Sequence, residues 1–187
     1  TNDEVLTILE KNHSSDDLFN AIEISQTNNI DIRPTWMPFS PWTNQKDLID
    51  IIKLIENYKL RETVDPIQLT IKLLIPKNSL ILQRSEIKGY LKDYDKNSLS
   101  YMWDYKNEEV NILQVSLFNY LLDTPDLDEH SQYLGMVKII ENMTQSNLIS
   151  DLNYSYKNVP KLSETWFCCA EPSQIQLDRI KTNTALI

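Results

Sequence analysis

Apolar residues recur at helical spacing over most of the first sixty positions, broken by one strand-like run, and then switch to alternation, and the elements follow from those changes of period. Asp3 to Lys11 carries Val5, Leu6, Ile8 and Leu9 and reads as a short helix. Ser14-Ser15-Asp16-Asp17 supplies N-cap chemistry for a second helix bearing Leu18, Phe19, Ile22 and Ile24. After the polar turn Gln26 to Asn29, Ile30 to Met37 reads as a strand closed by Pro38 and Pro41. Thr43 or Asn44 caps the next helix, whose apolar face is Leu48, Ile49, Ile51, Ile52 and Ile55, running to about Leu60. Pro66 then breaks the pattern. Ile67 to Ile75 alternates, with Ile67, Leu69, Ile71, Leu73 and Ile75 on one face and Gln68, Thr70 and Lys72 on the other.

The order helix, strand, helix, strand with short connections predicts βα repetition and a parallel sheet. Two strands do not stand alone, so a partner chain or a missing N-terminal part must complete the sheet. Parallel strands are normally apolar on both faces, and the polar face here has two explanations. One is a barrel interior open to ligand, which Arg33 and Thr35 would share with Gln68, Thr70 and Lys72. The other is an edge strand with one wet face. Beyond Pro76 the pattern becomes helical: Leu80 to Leu91, Glu109 to Leu122, and Leu127 to Leu152 as one long helix or a broken pair. Asn153 to Ser163 reads as a polar loop, and Ser173 to about Lys181 as a short last helix.

Charge narrows the function classes. Lys and Arg number 18 against 27 Asp and Glu, a net charge of −9, and no basic cluster exists to hold phosphates, so nucleic acid is not an expected partner. With 41% hydrophobic residues the chain can bury a core. Gly89 and Gly135 are its two glycines, which excludes Gly-rich phosphate loops of the P-loop or dinucleotide type. No apolar run approaches the roughly 18 to 20 residues of a membrane span and no signal segment opens the chain, so a soluble, cytoplasmic protein is expected. Thr1 stands where an initiator Met would, and a helical pattern begins almost at once, as in a fragment.

Few residues carry chemistry. Cys168 and Cys169 are adjacent, a spacing unsuited to metal chelation, because neighbouring side chains point apart. They precede an expected helix N-terminus, which favours a reactive thiolate, while their neighbours Trp166 and Phe167 favour simple packing. The segment Arg33 to Thr43 holds three prolines and two tryptophans, a stiff ledge that suits either a binding wall or a rigid strand-to-helix turn. His13 and His130 lack acidic or thiol neighbours at ligand spacing and read as surface or capping residues. The acidic run Asp123 to Glu129 reads as a solvated loop and helix start.

Asp3-Glu4-Val5-Leu6 through Lys11-Asn12-His13-Ser14, the Arg33 to Thr43 segment, Gln68 to Pro76 and the terminal Cys168-Cys169-Ala170-Glu171-Pro172 together resemble radical SAM proteins of the CUAEP/CCAEP-tail family. The resemblance covers nearly the whole chain, and the tail is its most specific part. It implies an α/β fold, the C-terminal part of a partial (β/α)6 TIM-like barrel in residues 1–78, followed by an all-helical C-terminal extension in 79–187. It implies S-adenosylmethionine and a [4Fe–4S] cluster as cofactors of the full-length enzyme, with the substrate, a small molecule or peptide, unknown. The cluster loop belongs to the missing N-terminal half of the barrel, and no C-x3-C-x2-C occurs here, so this chain alone would be inactive. Lumen-facing Arg33 and Thr35 would serve the cofactor and Gln68 and Lys72 the substrate, with Arg33 and Lys72 as cations facing a carboxylate. Because the family's tail can carry selenocysteine at the second position, Cys169 is expected to be nucleophilic or redox-active and Cys168 its resolving partner. The competing reading is a non-catalytic helical module that binds a protein through the Pro/Trp ledge and its acidic surface.

Overall fold

A computed structural model describes residues 1–149. Its helices start where short polar side chains can cap them. Asn2 accepts from the Val5 N–H at the head of α1 (Asp3–Ile8). Ser14 and Asp17 form a reciprocal capping box for α2 (Ser15–Thr27), and Asn44 and Asp47 form another for α3 (Gln45–Asn57). A four-residue α4 (Ser85–Lys88) follows, then a hairpin of β1 (Leu91–Asp95) and β2 (Ser100–Trp103). Asn107 caps α5 (Glu108–Asp123) and Asp128 caps α6 (Glu129–Thr144). Backbone N–H groups donating to Asp17, Asp95 and Asp128 hold these three carboxyls below the ordinary carboxylate range.

The larger core gathers Ile22, the inward faces of α3, α5 and α6, and Trp36 and Phe39. α5 and α6 meet closely at Gly135, where a Cβ would fall inside the Tyr120 phenol. A charged pair is sealed into this core. Arg61 donates to Glu56 through Nε at 2.8 Å and again through Nη2, both side chains are nearly inaccessible, and the Tyr133 hydroxyl donates to Glu56 Oε1 at 2.8 Å. That network ties the C-terminal end of α3 to α6. A smaller core under the hairpin joins Ile8, Leu73, Ile75, Ile81, Ile87 and Trp103.

Among the described residues the expected partial (β/α)6 barrel is not present. Among the described residues the sheet has two strands, antiparallel, with Leu91 opposite Trp103 and Tyr94 opposite Tyr101. The two segments read as parallel strands, Ile30–Met37 and Ile67–Ile75, form no ladder among the described residues; one parallel bridge just past the first segment joins Phe39 to Lys72, in which Phe39 N–H donates to Ile71 and Leu73 N–H to Phe39. Prolines explain the first failure: Pro34, Pro38 and Pro41 lack the N–H a ladder needs. A cap explains the second. Asp65 accepts from Ile67 N–H with Pro66 in the first turn, and Pro66–Thr70 becomes a 3-10 helix that buries Gln68, Leu69 and Thr70 together. Alternation survives in the extended remainder, where Ile71, Leu73 and Ile75 are buried.

The helix expected over Leu80–Leu91 is likewise a 3-10 turn (Leu80–Gln83), α4 and the start of β1. Asp95 turns the hairpin by accepting from the Asn97 and Ser98 N–H groups at 3.0 and 3.1 Å. The hairpin then pairs with the chain before it, as Tyr101 N–H donates to Ile75 and Trp103 Nε1 to Leu73.

Candidate functional site

Of the four residues expected to line a barrel lumen, three engage separate partners and Thr35 faces solvent. Arg33 lies 3.7 Å from Asp65 in a half-exposed ion pair, and Thr35 is exposed. Gln68 is wholly buried, and its Oε1 accepts from the Trp36 N–H at 3.0 Å. Lys72 places its ammonium 5.0 Å above Trp103 and 5.7 Å from Tyr105, a cation–π arrangement on the hairpin. Among the described residues no closed sheet gives them a shared lumen, and the carboxylate beside Arg33 is that of Asp65. No group of three or more His, Cys, Asp or Glu among the described residues could hold a metal ion. Cys168 and Cys169 lie outside the described residues.

The Pro/Trp ledge is largely interior. Trp36 and Phe39 belong to the larger core, Pro34, Pro38 and Pro41 are buried, and Thr43 Oγ1 donates to the Pro38 carbonyl at 2.9 Å. Trp42 is half-buried, edge-on to Tyr90. The ledge is thus a rigid turn that enters α3. His13 is exposed, and its Nδ1–H donates to the Lys11 carbonyl at 2.9 Å. It borders a shallow cleft of about 350 Å³ with Leu6, Thr7, Glu10, Asn12 and Arg84. Glu10 and Glu86 already engage the Arg84 guanidinium, at 2.6 and 3.2 Å, which leaves the cleft little charge for a ligand.

A different feature emerges on α5. Its inward face buries Val110, Leu113, Leu117 and Leu121, and buried Gln114 donates to the Thr70 carbonyl at 3.1 Å. That burial explains one apolar stripe, yet the helix carries a second. Ile112, Val115 and Leu122 point outward, 52%, 45% and 39% exposed, and Leu127 beyond the helix is exposed as well. With exposed Asn119 they follow a three-four-three spacing, which keeps side chains on one line of a helix. An amphipathic surface helix has polar residues there.

Charge frames this line. From Asn107 to Val137 the sequence holds six carboxylates and no lysine or arginine. Glu108 and Glu109 mark one end of the stripe, and Asp123 and Asp126 the other; all four are exposed. Among the described residues none of the four enters an ion pair. The sequence reading recognised the helix and the acidic run but not the outward stripe. Its signal was available in the apolar residues that surround α5, too many for one buried face.

Comparison with protein families, curated proteins and solved structures finds no match to this chain. The fold defines an acidic, mostly helical domain with a small antiparallel hairpin. Its most distinctive surface is a helix face that is apolar along its centre and anionic at both ends. No described helix is long and apolar enough to cross a membrane.

Proposed function

We propose that this protein is a helical protein-binding module whose docking surface is the outward face of α5. The observation that carries the reading is the line Ile112, Val115 and Leu122, apolar and exposed among the described residues on a helix whose opposite face already anchors it in the core. Binding by such a surface buries apolar area and needs no catalytic group.

The test is a photo-crosslinking amino acid placed at Val115, with Lys138 on α6 as an exposed control position. The expected result is a discrete adduct at 115 and not at 138, whose partner is identified, purified and then titrated against the protein. Loss of that binding in Ile112→Glu, with an unchanged circular dichroism spectrum, supports the reading; absence of any adduct at 115 would sink it. The reading as the C-terminal portion of a radical SAM enzyme has the motif resemblance as its support. Three cysteines at C-x3-C-x2-C spacing in the reading frame preceding Thr1 would sustain it.

A further inference from the structure

The face of α5 also specifies the chemistry of what docks there. We infer that its occupant is a cationic amphipathic helix of another protein, an inference that rests on the reading of this face as a docking surface. The spacing 112, 115, 119, 122 is that of a helix–helix seam of two heptads, in which Ile112 and Asn119 take equivalent places and Val115 and Leu122 the alternate ones. Glu108 extends the same line by one step toward the N-terminus, while Glu109 and Asp123 sit one heptad-flank position to its side, two heptads apart. In such seams the apolar line supplies affinity, and the flanking charges choose the partner.

Those charges disfavour a second copy in either orientation. Parallel pairing sets Glu108 against Glu108 of the other copy within the seam. Antiparallel pairing brings Glu109 beside Asp123 of the other copy at the flank. Each places like charges together, and the nearest cations in sequence, Lys106 and Lys138, lie just outside the Asn107–Val137 stretch that carries the seam. An anionic lipid surface meets the same repulsion. A helix with apolar residues at matching spacing, an amide or hydroxyl opposite Asn119, and Lys or Arg near both ends satisfies every group on the line. Asn119 then fixes register, because any other alignment would bury its amide against a methyl group.

The experiment uses the full chain and two synthetic helices of about three heptads, identical in their Ile, Leu and Asn seam and differing only in flanking Lys or Glu. Fluorescence anisotropy should show the Lys peptide binding about tenfold more tightly than the Glu peptide, with the difference shrinking at high salt. The double variant Glu109→Lys/Asp123→Lys should reverse that preference, and Val115→Glu should abolish binding of both. Equal affinity for the two peptides overturns the cationic partner while leaving the docking face intact. A crosslink from position 115 to a second copy, or to residues 150–187 of the same chain, with neither peptide bound, overturns the cationic partner and the docking reading together.

Discussion

α3 and α5 are capped helices of one core, and their surfaces obey different rules. α3 buries Leu48, Ile51, Ile52, Leu54 and Ile55 and turns Lys46, Asp50 and Lys53 outward, with Lys46 and Asp50 paired one turn apart. One burial accounts for its whole pattern. α5 buries an equally apolar face and still presents Ile112, Val115 and Leu122 to the outside. The surplus is what the docking proposal rests on, since the core does not require it.

The largest expected effect lies at the end of α3. Glu56→Ala leaves the Arg61 charge and the Tyr133 hydroxyl buried without their shared acceptor, and should cost about 3–5 kcal/mol in urea unfolding. Replacing Glu56 and Arg61 together by Leu and Met should recover most of that loss. If the double variant is as unstable as the single one, the pair is not a sealed unit. Next come the inward residues of α5. Leu117→Ala should cost about 2–5 kcal/mol, because a fully enclosed side chain is removed and a cavity remains. Gly135→Val should cost about 1–3 kcal/mol by forcing Tyr120 off α6, and Tyr120→Ala in the same chain should relieve part of the strain.

Capping carboxylates give a smaller, pH-dependent effect. Asp17 and Asp128 are held below their unfolded value of about 3.9, so their contribution is complete above that pH and disappears as pH falls through the lower folded values. Asp128→Asn keeps an acceptor for the Ser131 N–H but removes the titration, and should flatten the acid limb of the stability curve as pH falls below the unfolded value of about 3.9. An unchanged limb would mean that other carboxylates govern acid unfolding. The smallest effect on stability is expected outside α5, where Ile112→Glu and Val115→Glu should stay within about 0.5 kcal/mol of the parent. A large loss there would show that this face is already part of the protein's own core, and the contrast between α3 and α5 would vanish.

Much of the fold was legible wherever one short-range rule acted alone. The helix starts at Ser14 and Asn44 follow from side-chain oxygens positioned to accept early N–H groups, and the core face of α3 follows from its period. The strands failed because alternation is ambiguous over short runs. Asp65-Pro66 favours a tight turn locally, and once Pro66–Thr70 coils, Gln68 moves from an expected ligand-facing position into the core to hold the Trp36 N–H. The hairpin was missed because its pairing partner, the Leu73–Ile75 segment, is distant in sequence, and Leu91–Asp95 has little apolar alternation of its own.

The sequence by itself determined the acidity, the caps, the helical periods and the lack of lysine and arginine within Asn107–Val137, all of which are properties of composition and near neighbours. Tertiary structure decided which of the two apolar stripes on α5 faces the core. It also reduced the expected parallel strands to one bridge and moved Arg33, Gln68 and Lys72 to separate partners. The reason is physical: a period states that a face is apolar, whereas only the packing of distant segments states what that face meets.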